Sequence, residues 1–201
     1  MPERYEIVRC EGGPRWEQVC AVSLNRELWT EACGIAAWAQ VCYEPERLHV
    51  RLTAREEEPL ARFHGETDMV CRDSCLEFFF CPAAEDMRYF NFEYNPNGAL
   101  YLGFGQNRTN YVRLLPPSAR ELFRVRPFAL PNGWGVAFEI PSAFVRLFVP
   151  SFTLSPGIGL RGNFYKCGDE TGKIHYLAWN PVLSDTPDFH RPQDFGWLDL
   201  S

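Results

Sequence analysis

The sequence lacks most of what would mark a membrane-spanning, exported or nucleic-acid-binding chain. No run approaches the ~18 uninterrupted apolar residues a membrane span needs, so none is expected. Lysine occurs only at 166 and 173, and the formal net charge is −6. That balance argues against a phosphate backbone or an anionic membrane, so neither nucleic acid nor membrane is an expected partner. The opening stretch MPERYEIVRC has no apolar core and no small-residue cleavage site, so no signal peptide is expected. A cytoplasmic location follows as the expectation, with the eight cysteines as free thiols.

Motifs for metals, cofactors and nucleophiles are equally scarce. Cys71 and Cys75 share one segment without CxxC spacing and no second pair answers them, so buried thiols acting as small apolar side chains are expected rather than a metal site. The four histidines, His49, His64, His175 and His190, show no HxxxH or HExxH spacing, and no Ser, Cys or Thr sits in a nucleophile elbow. Gly157-Ile-Gly159-Leu-Arg-Gly162 matches GxGxxG but leads into a strand pattern, with no helix to receive a pyrophosphate. No cofactor is expected.

What is present is apolar and aromatic. The 201 residues are 46% hydrophobic and include 16 Phe, 8 Tyr and 6 Trp, too much apolar surface for a disordered coil. A chain of this length forms a single domain that buries roughly 70% of its unfolded surface. Short runs of period-two alternation recur: 47–53, 75–81, 89–95, 99–105, 122–128, 134–140, 158–165 and 174–179. Turn signals such as Asn95-Pro-Asn-Gly98 and Pro131-Asn-Gly133 separate them. The pattern predicts an all-β antiparallel sandwich of about ten strands with one or two short helical turns. Ser142–Phe148 is the first helical candidate and Glu27–Ala32 a weaker one, while Glu56-Glu57-Glu58-Pro59 reads as a solvated loop.

Strand parity locates the polar residues of interest. In 75–81, Leu76, Phe78 and Phe80 share one face, which leaves Glu77 on the other with Cys75, Phe79 and Cys81. In 89–95, Phe90, Phe92 and Tyr94 oppose Asn91 and Glu93; in 158–165, Ile158, Leu160 and Phe164 oppose Arg161 and Asn163. Burying Glu77 unpaired would cost several kcal/mol, so it needs a cation, hydrogen-bond donors or water. If the strands share a sheet, Glu77, Asn91, Glu93, Arg161 and Asn163 converge on one polar surface flanked by aromatics. Such a set suits sugar hydroxyls and pyranose faces. The polar side of an ordinary amphipathic sheet has the same parity, and Glu77 with Glu93 is also a pair of the kind glycoside hydrolysis uses.

The segment Arg72-Asp-Ser-Cys-Leu-Glu-Phe-Phe-Phe80 resembles the acidic strand of family 9 carbohydrate-binding modules. Tyr89–Gly98 is similar to the next strand in the shorter branch of that family, and Glu139-Ile-Pro141 to its E-x-I-P segment. Arg161–Tyr165, Trp179-Asn-Pro181 and Phe189–Gly196 resemble the later strands and the closing P-x-x-F-G. The resemblance implies a β-sandwich that binds carbohydrate without cleaving it, in carbohydrate catabolism. The family clamps its sugar between two tryptophans; Met69-Val70-Cys71 and Phe189-His190 stand at those places. It implies Glu77 as the matching glutamate and Asn91 as the neighbouring polar residue, with Glu93, Arg161 and Asn163 beside them and Trp179 or His190 for stacking. Alternatives are a sandwich that serves only as an interaction protein, and a hydrolase using Glu77 and Glu93. Related sandwiches can carry haem between Met and His or Lys; Met1, Met69 and Met87 are the only methionines for such a role.

Overall fold

The computed structural model describes residues 1–201 as fourteen strands and two short helices. No helix is long and apolar enough to cross a membrane. One sheet runs β9 (Asn110–Arg113), β8 (Leu100–Asn107), β7 (Tyr89–Tyr94), β6 (Cys75–Cys81) and β12 (Gly159–Cys167). The far edge of β12 is shared end to end: residues 159–162 pair with β14 (Gly196–Leu200) and 165–167 with β13 (Tyr176–Ala178), which in turn pairs with β3 (Arg26–Glu27). The second sheet runs β10 (Arg126–Leu130), β11 (Gly133–Pro141), β5 (Arg47–Arg55) and β4 (Ala36–Glu44), with β2 (Val22–Ser23) on the β4 edge. β1 (Arg4–Arg9) joins the two sheets, running parallel to β14 with residues 4–7 and parallel to β4 with residues 8–9. The sandwich is thus mostly antiparallel, and the strands that no named sequence run foreshadowed are β1, β4, β9, β14 and the short pieces β2 and β3.

Alternation explains the core. Leu76, Phe78, Phe80, Phe90, Phe92, Phe164 and Leu198 of the first sheet pack against Val41, Val50, Leu52, Val136 and Phe138 of the second. Phe78 stacks on Phe164 at 4.9 Å, and Phe92 meets Phe138 at 5.7 Å. Each such pair adds about 0.5–1.5 kcal/mol beyond its area burial. The outer face of the first sheet is covered as well: Phe79, Tyr89 and Tyr165 lie under Val70, Val182, Phe189 and Phe195 from the loops before β6 and β14.

Three local expectations need correction. The helical turn after Pro141 is present as α2 (Ser142–Arg146), but 27–32 is not helical: Arg26–Glu27 is a strand, and Trp29 sits at φ 57°, a left-handed conformation no helix uses. The run 122–128 divides into the end of a helix, α1 (Ala119–Leu122), and a strand that starts at Arg126. Glu56 is not solvated, although Glu57 and Glu58 are exposed. It is 6% exposed and accepts from Trp134 Nε1 at 2.8 Å and Ser74 Oγ at 2.7 Å, with Lys166 Nζ at 3.2 Å.

Lys166 is fully buried and also donates to the Cys167 carbonyl at 2.9 Å and to His175 Nε2 at 2.6 Å. This network ties the start of the 56–74 loop and the 168–175 turn to one end of the sandwich. Removing one charge of a buried pair strands the other. Glu56→Gln is therefore expected to lose about 3–5 kcal/mol in urea unfolding, and Glu56→Gln with Lys166→Met to lose less than the single change. A single variant within about 0.5 kcal/mol of the parent, the size of an ordinary surface change, would contradict this account of the network.

Candidate functional site

The outer face of the first sheet is not completely covered. A cavity of about 340 Å³ remains above its centre, and its floor can be read along the ladder. Tyr165, Glu77, Glu93 and Tyr101 are successive cross-strand partners on β12, β6, β7 and β8. In the next row, Tyr176, Cys167 and Cys75 are partners on β13, β12 and β6. Two carboxylates thus stand side by side at mid-sheet, with tyrosines on the strands to either side. Neighbouring strands lie about 4.8 Å apart, so the four intervals from β8 to β13 span about 19 Å.

The walls come from loops and edges. Trp29, just after β3, packs 5.4 Å from Tyr176 and 5.4 Å from Phe189, and its Nε1 donates to the Ser184 carbonyl at 2.7 Å. On the opposite flank Tyr111 of β9 stacks on His190 at 5.4 Å and shares a short hydrogen bond with the Tyr101 hydroxyl. Gly103 permits this arrangement, since a Cβ there would lie 2.6 Å from Asn91 Oδ1 and 2.8 Å from the Tyr111 ring. Met69 and Cys71 form another wall, and Arg108, Asp169, Pro187 and Asp188 the remaining rim.

Buried clamps hold both loops. Asp73 accepts from the backbone N–H groups of Arg62 and Phe63 and from Asn95 Nδ2, at 2.8–3.0 Å, and pairs with the Arg62 guanidinium. Arg113 lies 4.2 Å over the Tyr101 ring and donates to the carbonyls of Glu66, Thr67 and Asp68. On the other loop, Asp194 accepts from the Leu183 N–H and from Arg191, and Asn180 Nδ2 donates to the Asp194 carbonyl.

The seven residues singled out from sequence divide here. Glu77, Glu93 and His190 line the cavity. Asn91 supports it from beneath, with Nδ2 donating to Glu93 Oε1 at 2.7 Å. Arg161, Asn163 and Trp179 do not reach it. Arg161 is on the expected face, but its row contains Cys81, four residues along β6 from Glu77 and about 13 Å away. Its guanidinium instead donates to the Phe195 carbonyl and stacks on Trp197. Asn163 exchanges hydrogen bonds with the Asn180 backbone, at 3.0 and 2.9 Å. Trp179 packs into the inter-sheet core against Tyr5 and Phe164 and over Gly196, where a Cβ would come within 2.7 Å of its ring. Sequence reasoning missed Trp29, Tyr101, Tyr111, Tyr176, Arg108 and Asp169; parity placed none of the loop residues, although Tyr101 does share Leu100–Asn107 with an outward register.

Burial dominates the electrostatics. It raises the carboxyl of Glu77 well above the usual range and that of Glu93 to about 7, and Glu77 is raised further by the charge of Glu93. Burial likewise lifts the thiol of Cys71, and that of Cys75 to about 12. It pulls His190 down to about 4. The imidazole is then neutral at pH 7, and its Nδ1 shares a hydrogen bond with the Tyr89 hydroxyl at 2.7 Å. Cys75, Glu77 and Cys167 also bring three metal-ligating atoms together, Glu77 and Cys167 on the floor and Cys75 buried beside them.

A family model described as carbohydrate-binding family 9 matches residues 17–200. A Bacteroides uniformis structure proposed to be a carbohydrate-binding protein aligns at 23% identity and a TM-score of 0.82, covering 100% of each chain. A family 9 module from Caldicellulosiruptor kristjanssonii in complex with glucose aligns at 12% identity and a TM-score of 0.69, covering 99% of this chain and 96% of that one. A Caldicellulosiruptor kristjanssonii family 9 module in complex with cellotriose aligns at 12% and 0.68, covering 98% and 93%. No curated protein matches the chain.

The lowered His190 makes a pH prediction. The unfolded chain takes up this proton near pH 6.5, whereas the folded chain does so only near 4. Stability from this group is therefore present above about 6.5 and lost as pH falls towards 4. His175 is shifted the same way, so the test is differential. His190→Asn is expected to flatten the fall in denaturation midpoint between pH 6.5 and 4.5. An unchanged slope would show that the folded chain takes up this proton as readily as the unfolded one, which contradicts the lowered value.

Proposed function

The chain belongs to carbohydrate-binding family 9, and from that premise we propose that its cavity binds a carbohydrate without cleaving it. The observation that supports this best is the row of adjacent carboxylates between aromatic flanks at the base of a cavity of about 340 Å³. That volume is at the small end for ligand sites and suits a monosaccharide or the end of a short oligosaccharide. The glucose and cellotriose complexes of the Caldicellulosiruptor modules agree with a ligand of that size.

Glu77 and Glu93 accept hydrogen bonds from sugar hydroxyls, Asn91 orients Glu93, and the neutral imidazole of His190 offers a further hydrogen-bonding partner. Trp29 and Tyr111, from opposite flanks, offer ring faces to the pyranose. Met69 and Cys71, with Phe189 and His190, occupy the two places where the family resemblance expects clamping tryptophans, and both groups line this cavity. The clamp is thereby rebuilt from different side chains, with Trp29 supplying an indole from another part of the chain.

A hydrolytic role for Glu77 and Glu93 fits the geometry less well. Hydrolysis uses carboxyl groups that flank the scissile bond. These two rise side by side from one floor as direct cross-strand partners.

Titration calorimetry with glucose, cellobiose, cellotriose and a wider panel of mono- and oligosaccharides tests the proposal. Single-site binding is expected, with Trp29→Ala and Glu77→Gln each weakening it by roughly tenfold or more, about 1.4 kcal/mol. Trp38→Ala, on the outer face of the other sheet, should leave it unchanged. Absence of heat across the panel would defeat the reading, and turnover of a chromogenic glycoside that Glu77→Gln abolishes would replace it with hydrolysis.

A further inference from the structure

Carbohydrate recognition uses only one of three metal-ligating side chains that meet at the cavity floor, where Glu77 and Cys167 line the space and Cys75 lies buried beside them. Cys75 and Cys167 are direct cross-strand partners on β6 and β12, and Glu77 follows Cys75 by two residues on the same face. Their sulfur and carboxylate oxygen atoms all lie within 4.8 Å of one another, with Cys167 Sγ donating to Glu77 Oε1 at 3.0 Å. All three side chains are buried. We infer that Cys75, Glu77 and Cys167 form a binding site for a thiophilic divalent cation of the zinc class, with one coordination position open to the cavity.

The donor set selects the ion. Calcium and magnesium take oxygen ligands, whereas two thiolates favour zinc and its soft or borderline neighbours. Around a tetrahedral zinc ion, Zn–S bonds near 2.3 Å and Zn–O bonds near 2.1 Å put the ligand atoms about 3.5–3.8 Å apart. Donors already within 4.8 Å reach that spacing through small side-chain rotations. Three protein ligands and an open fourth position are the arrangement of zinc sites that accept a further ligand.

Placement supports the same reading. All three donors stand on paired strands rather than loops, which holds them in place before the ion arrives. Glu77 and Cys167 line the cavity together with Cys71, so an ion has a route in and its open position faces the ligand space. The nearby cation Lys166 is already engaged by Glu56, His175 and the Cys167 carbonyl. Binding converts two thiols to thiolates and holds Glu77 as the carboxylate, releasing to solvent the two thiol protons and any proton that Glu77 carries, and leaves a centre of net charge −1.

The test uses the full, untagged chain, stripped with EDTA, kept reduced and titrated with Co²⁺. One equivalent is expected to produce a near-ultraviolet thiolate-to-cobalt charge-transfer band and the intense visible bands of a tetrahedral site, both abolished by Zn²⁺. Cys75→Ser and Cys167→Ser should each weaken cobalt binding roughly 100-fold or more, and Cys20→Ser, at an exposed thiol, should not. A wild-type spectrum without the charge-transfer band overturns the site, whether or not the serine variants fold. A band that survives in both serine variants overturns it too. The carbohydrate reading is tested separately: a cobalt site without sugar heat sinks only that reading, and sugar heat without a cobalt band sinks only the metal site.

Discussion

Every residue of β6 is buried, on both of its faces, and the rest of the architecture answers to that constraint. A strand with one apolar face needs one partner layer. A strand reading Cys-Leu-Glu-Phe-Phe-Phe-Cys needs two. The second sheet covers Leu76, Phe78 and Phe80, while Cys75, Phe79 and Cys81 are covered only because two long loops fold back across the outer face. The cavity is the part of that face the loops leave open. Glu77 lies under the opening, the one carboxylate of an otherwise apolar strand.

The loops stay down because their polar groups are satisfied internally. Asp73 and Ser74, the acidic and hydroxyl residues just before β6, read in sequence as part of a binding signature. Their work is mechanical: Asp73 gathers the backbone at 62–63, and Ser74 accepts from the Leu60 N–H while donating to Glu56. Asn180 and Asp194 do the same for the closing segment. A motif can therefore border a cavity while most of its letters serve to hold the backbone around it.

Much of the first sheet was legible because period-two alternation is a local property. The inward aromatics and the outward Glu77, Asn91, Glu93, Arg161 and Asn163 all follow from counting residues. Counting gives the face but not the rung, so Arg161 was grouped with Glu77 although the β6–β12 register sets it four residues away. Nor does it foresee which outward groups a loop will capture, as Asn180 captures Asn163. Trp179 lies beyond β13, where alternation no longer applies, and turns into the core. Trp29 was misread for the opposite reason. Its segment has helix-compatible residues, but a two-residue strand and a left-handed turn, both fixed by contacts distant in sequence, place it over the cavity.

The difference between floor and walls bears on how such a protein can change. Glu77, Glu93 and Tyr101 belong to paired strands whose neighbours form a second core, so altering them disturbs packing that the whole face relies on. Met69, Cys71, Phe189 and His190 sit on loop stretches anchored at residues other than themselves, chiefly Asp73, Arg113, Asn180 and Asp194. The exposed side chain of Met69 can be exchanged while the anchors hold the backbone in place, whereas Phe189 and His190 also pack on Tyr165 and Phe79 of the second core. A lineage built on this frame can reshape the mouth of the cavity through its exposed wall residues, keeping its carboxylate floor and its stability as it does so.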